Sequence, residues 1–245
     1  MFAKVLDQAA FSYKRHTPAF TDFLDMAKSG KFLEKLRSLS DLNVVAFGGT
    51  EDCERRMLGF APDYMELEGK DFPICALRIT KHKKFGQTDL SHRDYLGSIM
   101  GLGIERSLIG DIILKDGGAF VFVMQRMAAY LCEQLTAVRK TPVTCSLWEH
   151  DGAFPEPELE PMEGTVSSVR LDAVTAFCGR MSRSKAAAFI EGEKVSVNGQ
   201  ICTSVSRNVK EGEVLSLRGI GKFRFEQSGA PTKKGRLPLL ILRYK

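Results

Sequence analysis

Residues 180–199 read RMSRSKAAAFIEGEKVSVNG, and the first six of them hold two arginines, two serines and a lysine. Ser182 is a residue type that caps helices, and SKAAAFIE behind it is made of good helix formers. The start of a helix presents free N–H groups and a partial positive charge, which together favour an anion. Arg183 and Lys185 would add full charges beside that terminus, and an arginine can hold a phosphate through two parallel hydrogen bonds. The chemistry implied is recognition of a phosphate backbone, with Arg170 as a third cation one helix earlier. Both residues read as exposed, so replacing Arg183 and Lys185 by alanine is expected to leave thermal stability nearly unchanged.

Other candidate groups are weaker. His92-Arg93-Asp94 matches the catalytic loop of protein kinases, but neither a DFG triplet nor a glycine-rich loop accompanies it. His92 reads instead as the first turn of a helix capped by Thr88, Asp89 or Ser91. KHKKF (81–85) supplies Lys81, Lys83 and Lys84 at the end of a strand, either a second RNA contact or a solvated loop. GGAFVFVM (117–124) has the spacing of the aromatic strand of RRM domains at Gly117, Ala119, Phe120 and Val121. Two of the three usual aromatics are missing there and Asp116 replaces the basic residue, so Phe120 reads as core. The six cysteines stand singly, without the CxxC spacing of zinc ribbons or redox pairs, and read as reduced thiols.

Charge separates the chain into unlike thirds. Residues 1–70 have a net charge of −1 and residues 71–164 one of −3, whereas 165–245 carry fifteen basic and six acidic side chains, a net of +9. An excess confined to one domain points to a polyanionic partner, nucleic acid first. No apolar run approaches the roughly 20 residues of a membrane span, and the first residues lack the apolar core of a signal peptide. These features place the protein in the cytoplasm.

Period and punctuation then supply the elements that must carry these groups. Residues 1–70 read as helices up to about Leu42, a strand at 44–47, a Gly48-Gly49 turn, and a further helix capped by Thr50 or Asp52. Residues 71–149 read as strand 72–80, helix 91–103, strand 109–115, an Asp116-Gly117-Gly118 turn, strand 119–124, helix 125–135 and strand 142–149. That β-α-β-β-α-β order is the ferredoxin-like, or RRM-like, arrangement. HDGAFPEPELEPMEG (150–164), with three prolines and four glutamates, reads as an extended acidic linker. Beyond it come a helix from Ser167 or Ser168 to Cys178, the helix capped by Ser182 and stopped by Gly192, and a hairpin turning at Asn198-Gly199. VLSLRG and KFRFE add strands. The fold class is α+β, with a helix-rich N-terminal α/β domain (1–70), a central ferredoxin-like domain (71–149), the linker (150–164) and a C-terminal domain (165–245).

The stretches RLDAVTAF, MSRSKAAAFIEGEKVSVNGQ and VKEGEVLSLRG follow one another within 170–224 in the order and spacing of the S4 RNA-binding domain, which the C-terminal domain resembles. The resemblance implies RNA contacts at Arg170, Ser182, Arg183, Ser184, Lys185, Lys194, Asn198 and Gly199, with Arg218 and Lys222 as secondary candidates beside the lysines of KHKKF. FGGTEDCERR (47–56) and FPICALRITKHKKFGQTDLSHRDYLGSIMGLGIERSLIGDIIL (72–114), taken with that domain, resemble the YlmH family of bacterial S4-domain proteins over nearly the full chain; Thr50 stands where that family usually has an aromatic. The resemblance implies binding to the large ribosomal subunit blocked by peptidyl-tRNA, in ribosome-associated quality control.

The expectation is therefore a non-catalytic, monomeric RNA-binding protein that takes structured rRNA or tRNA and needs no cofactor or metal. RMSRS is also similar to the KMSKS loop of class I aminoacyl-tRNA synthetases, but no HIGH motif or nucleotide-binding domain accompanies it. The alternative is an RNA-modifying enzyme that docks through S4, as pseudouridine synthases and methyltransferases do. A pseudouridine synthase needs a catalytic aspartate in a large domain, usually after S4, and GLG (101–103) ends a helix rather than opening a SAM loop.

Overall fold

A computed structural model describes residues 2–36, 42–50, 53–82, 89–149, 157–233 and 235–244. The chain divides into two compact units, Met1–Pro157 and Glu158–Lys245.

The first unit begins with α1 (Phe2–Arg15), β1 (Ala19–Phe20), α2 (Met26–Leu36), β2 (Leu42–Phe47) and β3 (Met57–Pro62). The antiparallel order is β1-β3-β2. Every residue of the central strand β3 is buried, because it is covered on both faces. Leu58 and Phe60 pack against Val5 and Ala9 of α1 and Phe32 and Leu36 of α2, while Met57 and Ala61 belong to a second core on the other side. The helix expected after Gly48-Gly49 is absent from the described residues 53–62, where β3 forms instead. MLGFAP is a short apolar run, which period alone cannot assign to helix or strand.

Next come β4 (Ile74–Lys81), α3 (His92–Gly101), β5 (Ile109–Lys115), β6 (Gly118–Met124), α4 (Ala128–Gln134), β7 (Ala137–Val138) and β8 (Thr141–Leu147). The sheet order is β5-β6-β4-β8-β7, all antiparallel, so its four long strands form the ferredoxin-like arrangement. The Asp116-Gly117 turn has both φ values positive, 52° and 69°, as a two-residue hairpin requires. Leu77, Ile79, Val121 and Val123 face the core shared with Tyr95, Ile99 and Leu131 of the two helices. The opposite face carries Ile74, Ala76, Phe120, Phe122 and Met124, which pack against Phe23, Cys53, Met57, Ala61 and Leu67.

The sheet is apolar on both faces, and residues 1–70 pack on the face away from α3 and α4 within the same compact unit. The two motifs FGGTEDCERR and GIERSLIGD meet at this seam. Arg55 donates to the carbonyls of Ile109 (2.8 Å), Phe23 and Arg106 (both 3.0 Å), and the Asp111 carboxylate accepts the backbone N–H groups of Glu54 and Arg55.

The second unit contains β9 (Leu159–Val166), α5 (Leu171–Cys178), α6 (Arg183–Glu191), β10 (Val195–Val197), β11 (Gln200–Ile201), β12 (Val214–Leu217), β13 (Gly221–Ser228) and β14 (Leu237–Tyr244). Among the described residues these strands form one antiparallel sheet in the order β11-β10-β12-β13-β14-β9. Leu215, Leu217, Phe223, Phe225, Leu239 and Ile241 meet Leu171, Val174 and Ile190 of the helices in one core. The expected linker therefore ends early. Residues 159–164 are strand, with Glu160 and Glu163 exposed while Met162 packs against the core. Pro161 is tolerated because β9 is an edge strand. α5 also begins later than expected, because Arg170 bridges to Asn208 and the Leu171 N–H donates to the Arg207 carbonyl.

Candidate nucleic-acid interface

Helices α5 and α6 pack on one face of the second sheet through Leu171, Val174 and Ile190. The turn between them contains Arg180, an exposed residue at φ 49°. Ser182 is the N-cap of α6, and its hydroxyl accepts the Lys185 N–H at 3.3 Å. Ser184 Oγ lies 3.1 Å from Ser182 Oγ. The sequence places these groups here because a β-region serine precedes a helix-forming run that Gly192 terminates.

Arg170 and Arg183 share a carboxylate. Asp172, with only 8% of its side chain exposed, accepts from Arg170 Nε at 3.2 Å and from Arg183 Nη2 at 2.6 Å. Arg183 Nη1 also donates to Ser167 Oγ at 3.0 Å. Burial alone would raise the Asp172 pKa, but the hydrogen bonds from Arg183 and Arg170 outweigh it and leave it below the ordinary carboxylate value. This corrects the expectation that Arg183 is replaceable without thermal cost, because its removal strips an almost buried carboxylate of one partner. The pairing fixes both guanidinium groups and leaves Arg183 about half exposed.

Lys185 is exposed. Lys194 is exposed too, with Nζ 5.4 Å from the centre of the Phe189 ring. The Arg218 N–H donates to the Lys194 carbonyl at 2.9 Å, so the backbones of these two basic residues lie side by side where β10 meets β12. The β10–β11 turn has Asn198 at φ 49° and Gly199 at φ 73°, the pair of positive values a type I′ turn needs. Asn198 Oδ1 accepts the Val214 N–H at 2.9 Å, which fixes the side chain of the turn.

Arg170, Ser182, Arg183, Ser184 and Lys185 thus gather around the two helix starts, with Lys194, Arg218, Asn198 and Gly199 on the adjoining strands and hairpin. Lys222 does not join them. The alternation that turns Phe223 and Phe225 into the helix-side core points Lys222 the other way, where it stacks on Tyr244 at 4.2 Å. Arg180 was overlooked in the sequence, although its place two residues before the capping serine was the signal.

In the first unit, Lys81 ends β4, and Lys83 and Lys84 lie outside the described residues. The HRD triplet starts α3. Asp94 accepts from the Ser91 N–H at 2.9 Å and from Arg139 at 3.2 Å, which uses it as a helix cap. Desolvation and Arg106 lower the pKa of His92. Phe120 is 3% exposed, as expected of a core residue. Gly118 occupies an RRM aromatic position, and a Cβ there would lie 2.3 Å from the Ile79 carbonyl oxygen. All six cysteines are free thiols, and burial pushes Cys75 up to about 11 and Cys178 up to about 12. No helix among the described residues is long and apolar enough to cross a membrane.

Two family models match the chain. Residues 68–151 match "Putative RNA-binding domain in YlmH", and residues 169–215 match the S4 domain. The chain is thus an S4-domain protein with two RNA-binding domains. It is 32% identical over 226 residues to the Ribosome-associated protein quality control protein P2 of Bacillus subtilis (strain 168), covering 92% of this chain and 87% of that one. A solved structure, the Cell division protein ylmH from Streptococcus pneumoniae, shares the fold at 24% identity and a TM-score of 0.50, over 60% of this chain and 88% of that one. The chain belongs to the YlmH family of S4-domain proteins.

Proposed function

We propose that the protein is a non-catalytic, monomeric RNA-binding factor of the cytoplasm that docks on the large ribosomal subunit. The substrate is a subunit still holding peptidyl-tRNA, and the role is ribosome-associated quality control. The observation that carries the reading is the surface at the starts of α5 and α6. Arg170 stands at the start of α5, Arg180, Arg183 and Lys185 stand about the capped start of α6, and Asp172 fixes two of them. Such a surface takes phosphates in a set geometry and reads the shape of folded RNA rather than base sequence, because duplex RNA hides its base edges in a narrow groove. The name of the Bacillus subtilis relative, a ribosome-associated quality control protein, supports the ribosome as the source of that RNA. Sedimentation of tagged protein with separated subunits tests the reading. Co-migration with the large subunit, lost when Lys185 and Lys194 become alanine, is expected. Equal retention by both subunits, or by neither, would refute it.

A further inference from the structure

The uncovered end of the five-stranded sheet has its own chemistry. On the face opposite α3 and α4, Ile74, Ala76, Ile113, Phe122 and Met124 lie beneath the N-terminal cover. Further along the same face, β4 presents Arg78, Thr80 and then His82, β8 presents Thr144 and Ser146, and β5 presents Lys115. Thr144, Ser146 and His82 are exposed, while Arg78, Thr80 and Lys115 are partly so. Register sets Arg78 between Phe120 and Ser146, and Thr80 beside Thr144.

At the centre stands a cation on two rings. The Arg78 guanidinium lies 5.5 Å from the Trp148 ring centre and 5.9 Å from that of Phe120. The rings meet edge to face, with centroids 5.0 Å apart at 80°. Hydroxyls and an imidazole border the group, with His82 Nε2 2.8 Å from Thr144 Oγ1. No carboxylate among the described residues forms an ion pair with Arg78, and none occupies the strand positions of this end of the face. A half-buried guanidinium held over two aromatic rings offers a planar charged group, and such a plane stacks on a nucleobase while attracting the neighbouring phosphate. The threonine and serine hydroxyls can hydrogen-bond base edges or ribose.

We propose that the Arg78–Trp148 platform is a second RNA-contact site, one that takes unpaired nucleotides. It differs from the aromatic strand of RRM domains, because Phe120 is buried and Gly118 has no room for a ring, so an arginine on the neighbouring strand supplies the stacking plane. The inference rests on the RNA-binding reading of the chain, but it names a different site from the S4 surface and a different form of RNA.

Trp148 is the sole tryptophan of the sequence, so the full-length protein carries its own probe. Titration with a ten-residue oligouridine should change Trp148 emission saturably. Arg78→Ala should weaken that binding by about tenfold, within the range of losing one stacked base, at an unchanged thermal midpoint. Should Arg78→Ala fail to fold, Arg78→Lys keeps the charge without the plane and should lose most of the affinity. Lys185→Ala should leave the signal intact while weakening binding to a folded hairpin RNA. An unchanged emission, an Arg78 variant that binds as well as the parent, or a response to oligoglutamate but not oligouridine would each overturn the proposal. The last result would assign the platform to an acidic protein segment. Oligouridine failure with intact large-subunit sedimentation removes this site alone, whereas a normal response without sedimentation removes the ribosomal reading alone.

Discussion

Lys185 and Arg183 stand two residues apart and should respond differently to the same substitution. Lys185 is exposed at the helix start, so Lys185→Ala should lower RNA affinity, make the slope of log K against log salt shallower by about 0.7–0.9, and move stability by less than about 0.5 kcal/mol. Arg183→Ala should weaken binding as much or more, and should also destabilise the second unit by about 1–2 kcal/mol, since it strips the nearly buried Asp172 of a partner. Paired salt-dependent binding and thermal melts would separate the two effects. The Asp172 carboxyl also sets a pH window. Its pKa is lowered in the folded unit, so its contribution is present above the ordinary carboxylate value near 3.9 and is lost as pH falls below it. Melting midpoints of residues 158–245 should therefore fall steeply from about pH 4 downward, and Asp172→Asn should start lower and flatten that part of the curve.

Elements were legible where one local pattern decided them. The capped α6, the Asn198-Gly199 hairpin and the β-α-β-β-α-β order each follow from short-range turn and period signals. The strands that escaped were those whose partners lie far away. β9 resembles a linker because Pro157 precedes it and Pro161 lies within it, and only its eight-residue pairing with β14 makes it a strand. β3 looks ambiguous because both its faces are buried. Candidate residues were legible as types but not as contacts: the side chain that would claim Arg183 lay eleven residues back in Asp172, and the alternation that removes Lys222 needed a strand register. Gly118 offers a test at this scale. With the Ile79 carbonyl oxygen 2.3 Å from any added Cβ, Gly118→Ala should destabilise the first unit by about 1–3 kcal/mol, measured by denaturant unfolding.

At the scale of the molecule, the chain divides into two compact units at 157/158. Residues 158–245 expressed alone should unfold cooperatively and bind structured RNA. Residues 71–149 alone should bind a hydrophobic dye and aggregate, because Ile74, Phe122 and Met124 would lose Met57, Ala61 and Leu67 from their cover; a soluble, cooperatively melting fragment would refute this. The pairing of β9 with β14 also governs when the sheet of the second unit can close up. β9 is the first strand of its unit to be made and β14 the last, yet Val166 sits opposite Leu237 and Leu159 opposite Tyr244. Until synthesis reaches β14, the edge of β9 is unmatched and Leu239 and Ile241 are missing from the core beneath α5 and α6. Contacts of such sequence separation form slowly and late. The packing that seats the starts of α5 and α6 is thus finished only once β14 is in place, however early those helices are made.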